Sequence, residues 1–269
     1  MSLETVLGNI ISVMSLLVVI PIIASSAKSV TVGSNKVLSV FFTFSMVSYF
    51  LSEVYYFTYN LLIPDTRMPF AANEIAEASM ILFLCAVLEV TMGREKKVNV
   101  PVFFFSVMFI GSNIVLWILW SGEWIKNVLF GLPYVYFFYL LISGILKSKA
   151  ASVKEIALLS VIAFVILGME GAALMPDERI GYILEVSCYP LMYVLWILIF
   201  VRTVSVLCGK EKSSNGKEIY LSFSLHIWTM LLMFLSAGIF YNIANLLYVT
   251  VLPLMYLSFK KELSEDGIC

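Results

Sequence analysis

The chain has 269 residues, of which 61% are hydrophobic and 13% charged, against about 45–50% apolar and about 25% charged in an ordinary soluble domain. A mean hydropathy of +0.97 leaves more apolar surface than the interior of a soluble fold of this size can take up. The net charge of −1 comes from 17 basic and 18 acidic residues set in short clusters between apolar stretches, so no basic face exists for nucleic acid.

A bilayer core about 30 Å thick is crossed by about 20 apolar residues in a helix. Cutting the chain at each polar cluster predicts an all-α, polytopic transmembrane bundle with spans at 4–25, 37–60, 71–92, 101–121, 126–147, 153–174, 180–206, 219–237 and 240–259. The first stretch has neither a basic n-region nor a small-residue cleavage site, and it reads as a retained helix. The second carries Glu53 about two turns below its outer end, with Tyr56 and Asn60 on the same face. The third opens on Asn73, Glu74 and Glu77, and the two acids, three residues apart, share a face. Near its inner end Glu89 is expected to snorkel toward the cytoplasm and pair with Arg94 or Lys96.

The fourth span holds Asn113, expected to bridge helices, and Trp117 and Trp120, which with Trp124 fit an interfacial belt. Glu170 ends the sixth between Gly168 and Gly171, which allow close helix approach. In the seventh, Glu185 shares a face with Tyr182, Cys188 and Tyr189, and Pro190 is expected to bend the helix. The eighth carries the single histidine, His226, near Ser222 and Thr229, where a helix-to-helix hydrogen bond is expected; Asn242 and Asn245 of the ninth read the same way. These last two spans come from one apolar run, too long for a single crossing and broken around Gly238. Nine crossings is the expectation, with eight or seven as alternatives.

Loop lysines and arginines test the count, since they collect on the cytoplasmic side of a membrane. Of the seventeen, fourteen fall on one side, and Arg67, Lys126 and Arg179 fall on the other. The N-terminus is thereby predicted outside and the C-terminus inside, in a multi-pass protein of the cell membrane. The turns Pro64-Asp65-Thr66-Arg67 and Pro176-Asp177-Glu178-Arg179, 112 residues apart, each precede a helix with a glutamate about two turns in. They suit a duplicated four-helix unit, 1–121 and 126–237, with an extra helix at 240–259 inside one membrane domain, although Pro and Asp favour any tight turn.

Charged groups inside a bilayer cost several kcal/mol unless they face protein or water, so intramembrane carboxylates are candidate functional groups. Glu53, Glu74, Glu77, Glu170 and Glu185 fall at one depth in the outer third. With Tyr56 and Asn73 they are the candidate ligand-binding residues, with Arg67 and Arg179 at the mouth. The alternative is that the two arginines neutralise Glu74 and Glu185 while the other acids are hydrated at the headgroups.

The leading expectation is a transporter or binder of a cation or small amine-bearing solute. An intramembrane enzyme using paired carboxylates as acid and base on a lipid or isoprenoid, and a sensor or assembly subunit without catalysis, are the alternatives. No lysine sits in mid-helix to form a retinal Schiff base, and no phosphate loop, HExxH or GxSxG is present. Cys85, Cys188, Cys208 and Cys269 lack metal-ligand or disulfide spacing; neither a metal nor a cofactor is expected.

Overall fold

A computed structural model of the protein describes residues 3–33, 35–64, 72–93, 98–173, 178–209, 216–236 and 238–265. These form nine helices and no strand: α1 (Leu3–Val32), α2 (Lys36–Leu62), α3 (Ala72–Met92), α4 (Val100–Ser121), α5 (Trp124–Ser148), α6 (Val153–Ala173), α7 (Glu178–Cys208), α8 (Lys217–Phe234) and α9 (Gly238–Glu265). All except α8 are long and apolar enough to cross a membrane, and the protein is a multi-pass helical bundle. The long final apolar run divides as its length requires: α8 stops at Phe234 and α9 starts at Gly238, whose φ of +57° suits glycine and is costly for a residue with a Cβ.

Local chemistry sets the other helix ends. The side chains of Asn35 and Asn99 accept from the backbone N–H groups of Leu38 and Val102 at 3.1 and 3.3 Å, satisfying donors that the first turn leaves unpaired. Ser152 and Glu155 form a reciprocal capping box before α6, with bonds of 2.7 and 3.2 Å. Gly122 ends α4 in the left-handed region at φ +73°.

Packing closes the helices into two rings that share one edge. In the first, α1 packs on α2, α2 on α3, α3 on α5, α5 on α8, α8 on α9 and α9 on α1; in the second, α4, α5, α8, α7 and α6 follow in order and α6 closes back on α4. The shared edge, α5 against α8, depends on Gly144: a Cβ there would lie 2.1 Å from the Tyr220 ring, inside any real contact distance. α8 falls short of the spanning helices in hydropathy, yet it is buried along most of its length, including Glu218, Ser222, His226 and Thr229. With neighbours on every side, a helix can carry polar residues that lipid would reject.

The lysine-rich helix ends gather at one face. Lys147 Nζ donates to the Met92 carbonyl at 2.7 Å, Arg202 Nη2 to Ala150 at 3.3 Å and Lys261 Nζ to Val206 at 3.2 Å. Lys261 also pairs with the buried Glu218 carboxylate at 2.8 Å. This clustering is the geometry that alternating crossings demand. On the outside of the bundle large apolar side chains such as Leu17, Leu119 and Val161 are exposed, as suits a hydrocarbon solvent.

Some sequence expectations need correction. Asn113 donates back to Phe109 of its own helix at 2.8 Å and, among the described residues, makes no hydrogen bond to another helix. Trp117 is half-buried, 5.1 Å from the Phe234 ring. Glu89 accepts from the Tyr136 hydroxyl of α5, while Arg94 and Lys96 lie outside the described residues. The side chain of Trp120, Cys269, Asp65 to Arg67 of the first Pro-Asp-x-Arg turn and Pro176 and Asp177 of the second lie outside them too.

Candidate functional site

The first ring is filled differently at its two ends. Toward the lysine-rich face it is apolar, with Phe42 of α2 stacked on Phe259 of α9 at 4.2 Å between ring centroids. Toward the opposite face polar side chains from α1, α2, α3, α5 and α9 converge. Glu53 of α2, 9% exposed, has the Ser12 hydroxyl of α1 and the Tyr49 hydroxyl one turn back against its carboxyl group. Ser15 of α1 lies against Tyr49 in turn.

These contacts are poorly directed. Both polar atoms of the Asn9 side chain, the hydroxyls of Ser12, Ser15 and Tyr49, and Oε2 of Glu53 are all buried without a well-directed hydrogen bond. Asn9, Ser12 and Ser15 recur at intervals of three along one face of α1, opposite Tyr49 and Glu53 of α2. Buried polar groups are nearly always paired with protein, water or ligand, and six such atoms lie together here.

Glu77 of α3 stands beside Glu53, within electrostatic range of it and of Glu74. Its orientation is fixed by Asn73, whose Nδ2 donates to Glu77 Oε1 at 2.9 Å while its Oδ1 accepts from Ser52 of α2. Glu74 faces Lys126 of α5 at 3.7 Å, and Lys126 also pairs with Glu123 at 2.6 Å. A cavity of about 220 Å³ opens beside Glu74 and Glu77 and is walled by Trp117, Lys126 and Tyr134. Tyr56 of α2 pairs with Tyr241 of α9, and Gly8 of α1 leaves the space that the Tyr56 hydroxyl and Asn242 occupy.

A line of aromatic and polar groups leads inward from these acids. Tyr134 interacts electrostatically with both Glu77 and Tyr248; Tyr248 lies 5.2 Å from the Tyr49 ring. The Tyr248 hydroxyl is 2.8 Å from Nδ1 of His226. His226 thus makes the helix-to-helix hydrogen bond expected of it, while its Nε2 remains buried and unpaired.

Of the five glutamates singled out in the sequence, the structure brings together Glu53, Glu74 and Glu77, with Asn73 and Tyr56 beside them. Glu170 is half-buried on α6, in the second ring, and is not among the electrostatic neighbours of Glu53 or Glu77. Arg179 is exposed at the start of α7. Arg67 and the side chain of Glu185 lie outside the described residues. Lys126, Asn9, Ser12, Ser15, Tyr49, Tyr134, Tyr241 and Tyr248 went unremarked as site residues. The signal for part of the set was the polar stripe Asn9, Ser12, Ser15 in an otherwise apolar helix, together with Tyr49 one turn before Glu53.

No family model, curated protein or solved structure matches the chain. The functional reading therefore rests on the site itself.

Proposed function

We propose that the protein binds a cation or a small amine-bearing solute in the chamber between α1, α2, α3, α5 and α9 and carries it across the membrane. The observation that supports this most directly is the set of buried polar atoms around Glu53 that lack a well-directed hydrogen bond. Five of the six can accept a hydrogen bond or bind a hard cation, and the nearby charges favour a positive ligand. Among the described residues three carboxylates meet there, and the base that reaches them, Lys126, is already shared between Glu74 and Glu123. A protonated amine could donate to Glu53, Asn9 and the hydroxyls together; a sodium-sized ion could take the same oxygens as ligands.

The asymmetry of the first ring supports an outward-open arrangement. Polar groups occupy one half, and stacked aromatics close the half toward the lysine-rich face. Movement across the membrane would then require that aromatic plug to open while the polar end closes.

The test is uptake into liposomes of two tracers, radiolabelled sodium and radiolabelled methylammonium. The wild type is expected to accumulate at least one of them above protein-free vesicles, and Glu53→Gln with Glu77→Gln to bring that uptake to background. Uptake unchanged in the double variant, or no uptake of either tracer by the wild type, would remove the proposal.

A further inference from the structure

The second ring encloses a cavity of about 370 Å³ that the reading above does not use. Its walls are hydrocarbon: Phe109 of α4, Phe138 and Ile142 of α5, Leu159 and Ala163 of α6, and Ile227 of α8. That volume equals the liquid share of about 12 waters, but water needs several polar partners each, and apolar cavities stay dry. The rim is open sideways, where Leu158 and Leu198 are 62% and 56% exposed on the lipid face of the bundle. The solvent that reaches this cavity is acyl chain.

One end of the cavity is charged. Arg202 of α7 lines it, at the face where Lys147 and Lys149 end α5 and Lys154 begins α6. The Arg202 guanidinium makes one hydrogen bond, to the Ala150 carbonyl, and no ion pair among the described residues, which leaves most of its five N–H donors available. The acid of the lining, Glu155, caps the α6 N-terminus through Ser152 and lies within electrostatic range of Arg202 without an ion pair to it. A basic mouth at the lysine-rich face above a dry, laterally open apolar slot is complementary to an anionic headgroup with its chain attached.

We infer that this cavity is a binding site for an anionic phospholipid of the leaflet at the lysine-rich face, with one acyl chain between α4, α5, α6 and α8 and its phosphate on Arg202. The site is independent of the carboxylate site: of the helices that build the two, only α5 is common, and its lining includes none of Glu53, Glu74 and Glu77.

The test is native mass spectrometry of the full chain, delipidated in mild detergent and titrated with phosphatidylglycerol or with phosphatidylcholine of the same acyl chains. The wild type is expected to hold one phosphatidylglycerol with a preference of about fivefold or more over phosphatidylcholine, the ratio set by ~1 kcal/mol per basic contact. Arg202→Gln should abolish that preference and leave phosphatidylcholine binding unchanged. Ala163→Phe, which fills the slot, should reduce the binding of both lipids, and Lys260→Gln, on the same face but away from the cavity, should alter neither. Equal binding of the two lipids by the wild type, or a preference that survives Arg202→Gln, would overturn the inference; so would an Ala163→Phe protein that folds and still binds as the wild type does.

Discussion

The two rings share α5 and α8, sit in the same hydrocarbon solvent, and yet are filled in opposite ways. The first places Asn9, Ser12, Ser15, Tyr49, Glu53 and Glu77 toward its interior; the second leaves an apolar void of about 370 Å³. In water the hydrophobic effect would drive apolar groups inward in both. In a bilayer an apolar side chain gains little by leaving lipid for protein, so interior composition is set by what lipid rejects and by what the site must hold. On the two proposals above, the polar groups inside the first ring would serve a ligand that lipid could not replace, and the second ring's cavity one that lipid can supply.

The partition between the rings can be broken most severely at the foot of α8. Glu218 is 2% exposed and its charge is balanced by Lys261 of α9 at 2.8 Å. Lys261→Met would strand the carboxylate, at a cost of about 3 kcal/mol, the lower end for a broken buried pair because the lysine is partly exposed. The thermal midpoint in detergent should fall accordingly, and adding Glu218→Gln should recover most of the loss; a double variant no more stable than the single one would show that the pair is not what anchors α8. Next in size is Gly144→Ala. The new methyl would meet Tyr220 at 2.1 Å, and spreading α5 from α8 should cost about 1–3 kcal/mol. Ala substituted at Gly168, where a Cβ meets open space, is the control and should leave the midpoint unchanged or raised.

The frame of this molecule was legible in its sequence because bilayer thickness and charge asymmetry are strong constraints. α8 was the hard case: its Glu218, Ser222 and His226 lower its hydropathy, and only helices on every side make that tolerable. Glu53, Glu74 and Glu77 could be picked out because carboxylates in spans are costly and rare. Whether Glu170 joined them could not be read, since depth in the membrane says nothing about which helices are neighbours. The serines and the asparagine of α1 were overlooked for a related reason. One hydroxyl in an apolar helix normally bonds back to its own backbone, as Ser45 does to Phe42 at 2.7 Å, and only the fold reveals that Ser12 and Ser15 do not.

Smaller effects sharpen the contrast. Tyr248→Phe removes the 2.8 Å hydrogen bond to His226 and should cost about 1 kcal/mol, a typical value for a neutral bond inside a membrane protein. If Tyr248 belongs to the path by which the chamber communicates with the bundle centre, uptake should fall by more than that loss of stability explains. Uptake equal to wild type at a lowered midpoint would reduce the Tyr248–His226 pair to a structural tie.

The smallest stability change is expected where the functional one is complete. Glu53 is buried with Oε2 unpaired, so Glu53→Met removes a desolvated acid and substitutes an apolar side chain of similar length. Exchanges of that kind are neutral or stabilising, by up to about 1 kcal/mol. The midpoint should hold or rise while tracer uptake disappears, a separation expected of a residue kept for its ligand and not for the fold. A marked loss of stability in Glu53→Met would mean that Ser12 and Tyr49 need the carboxylate to stay in place. The polar filling of the first ring would then be structural, and the two rings would differ in packing style alone.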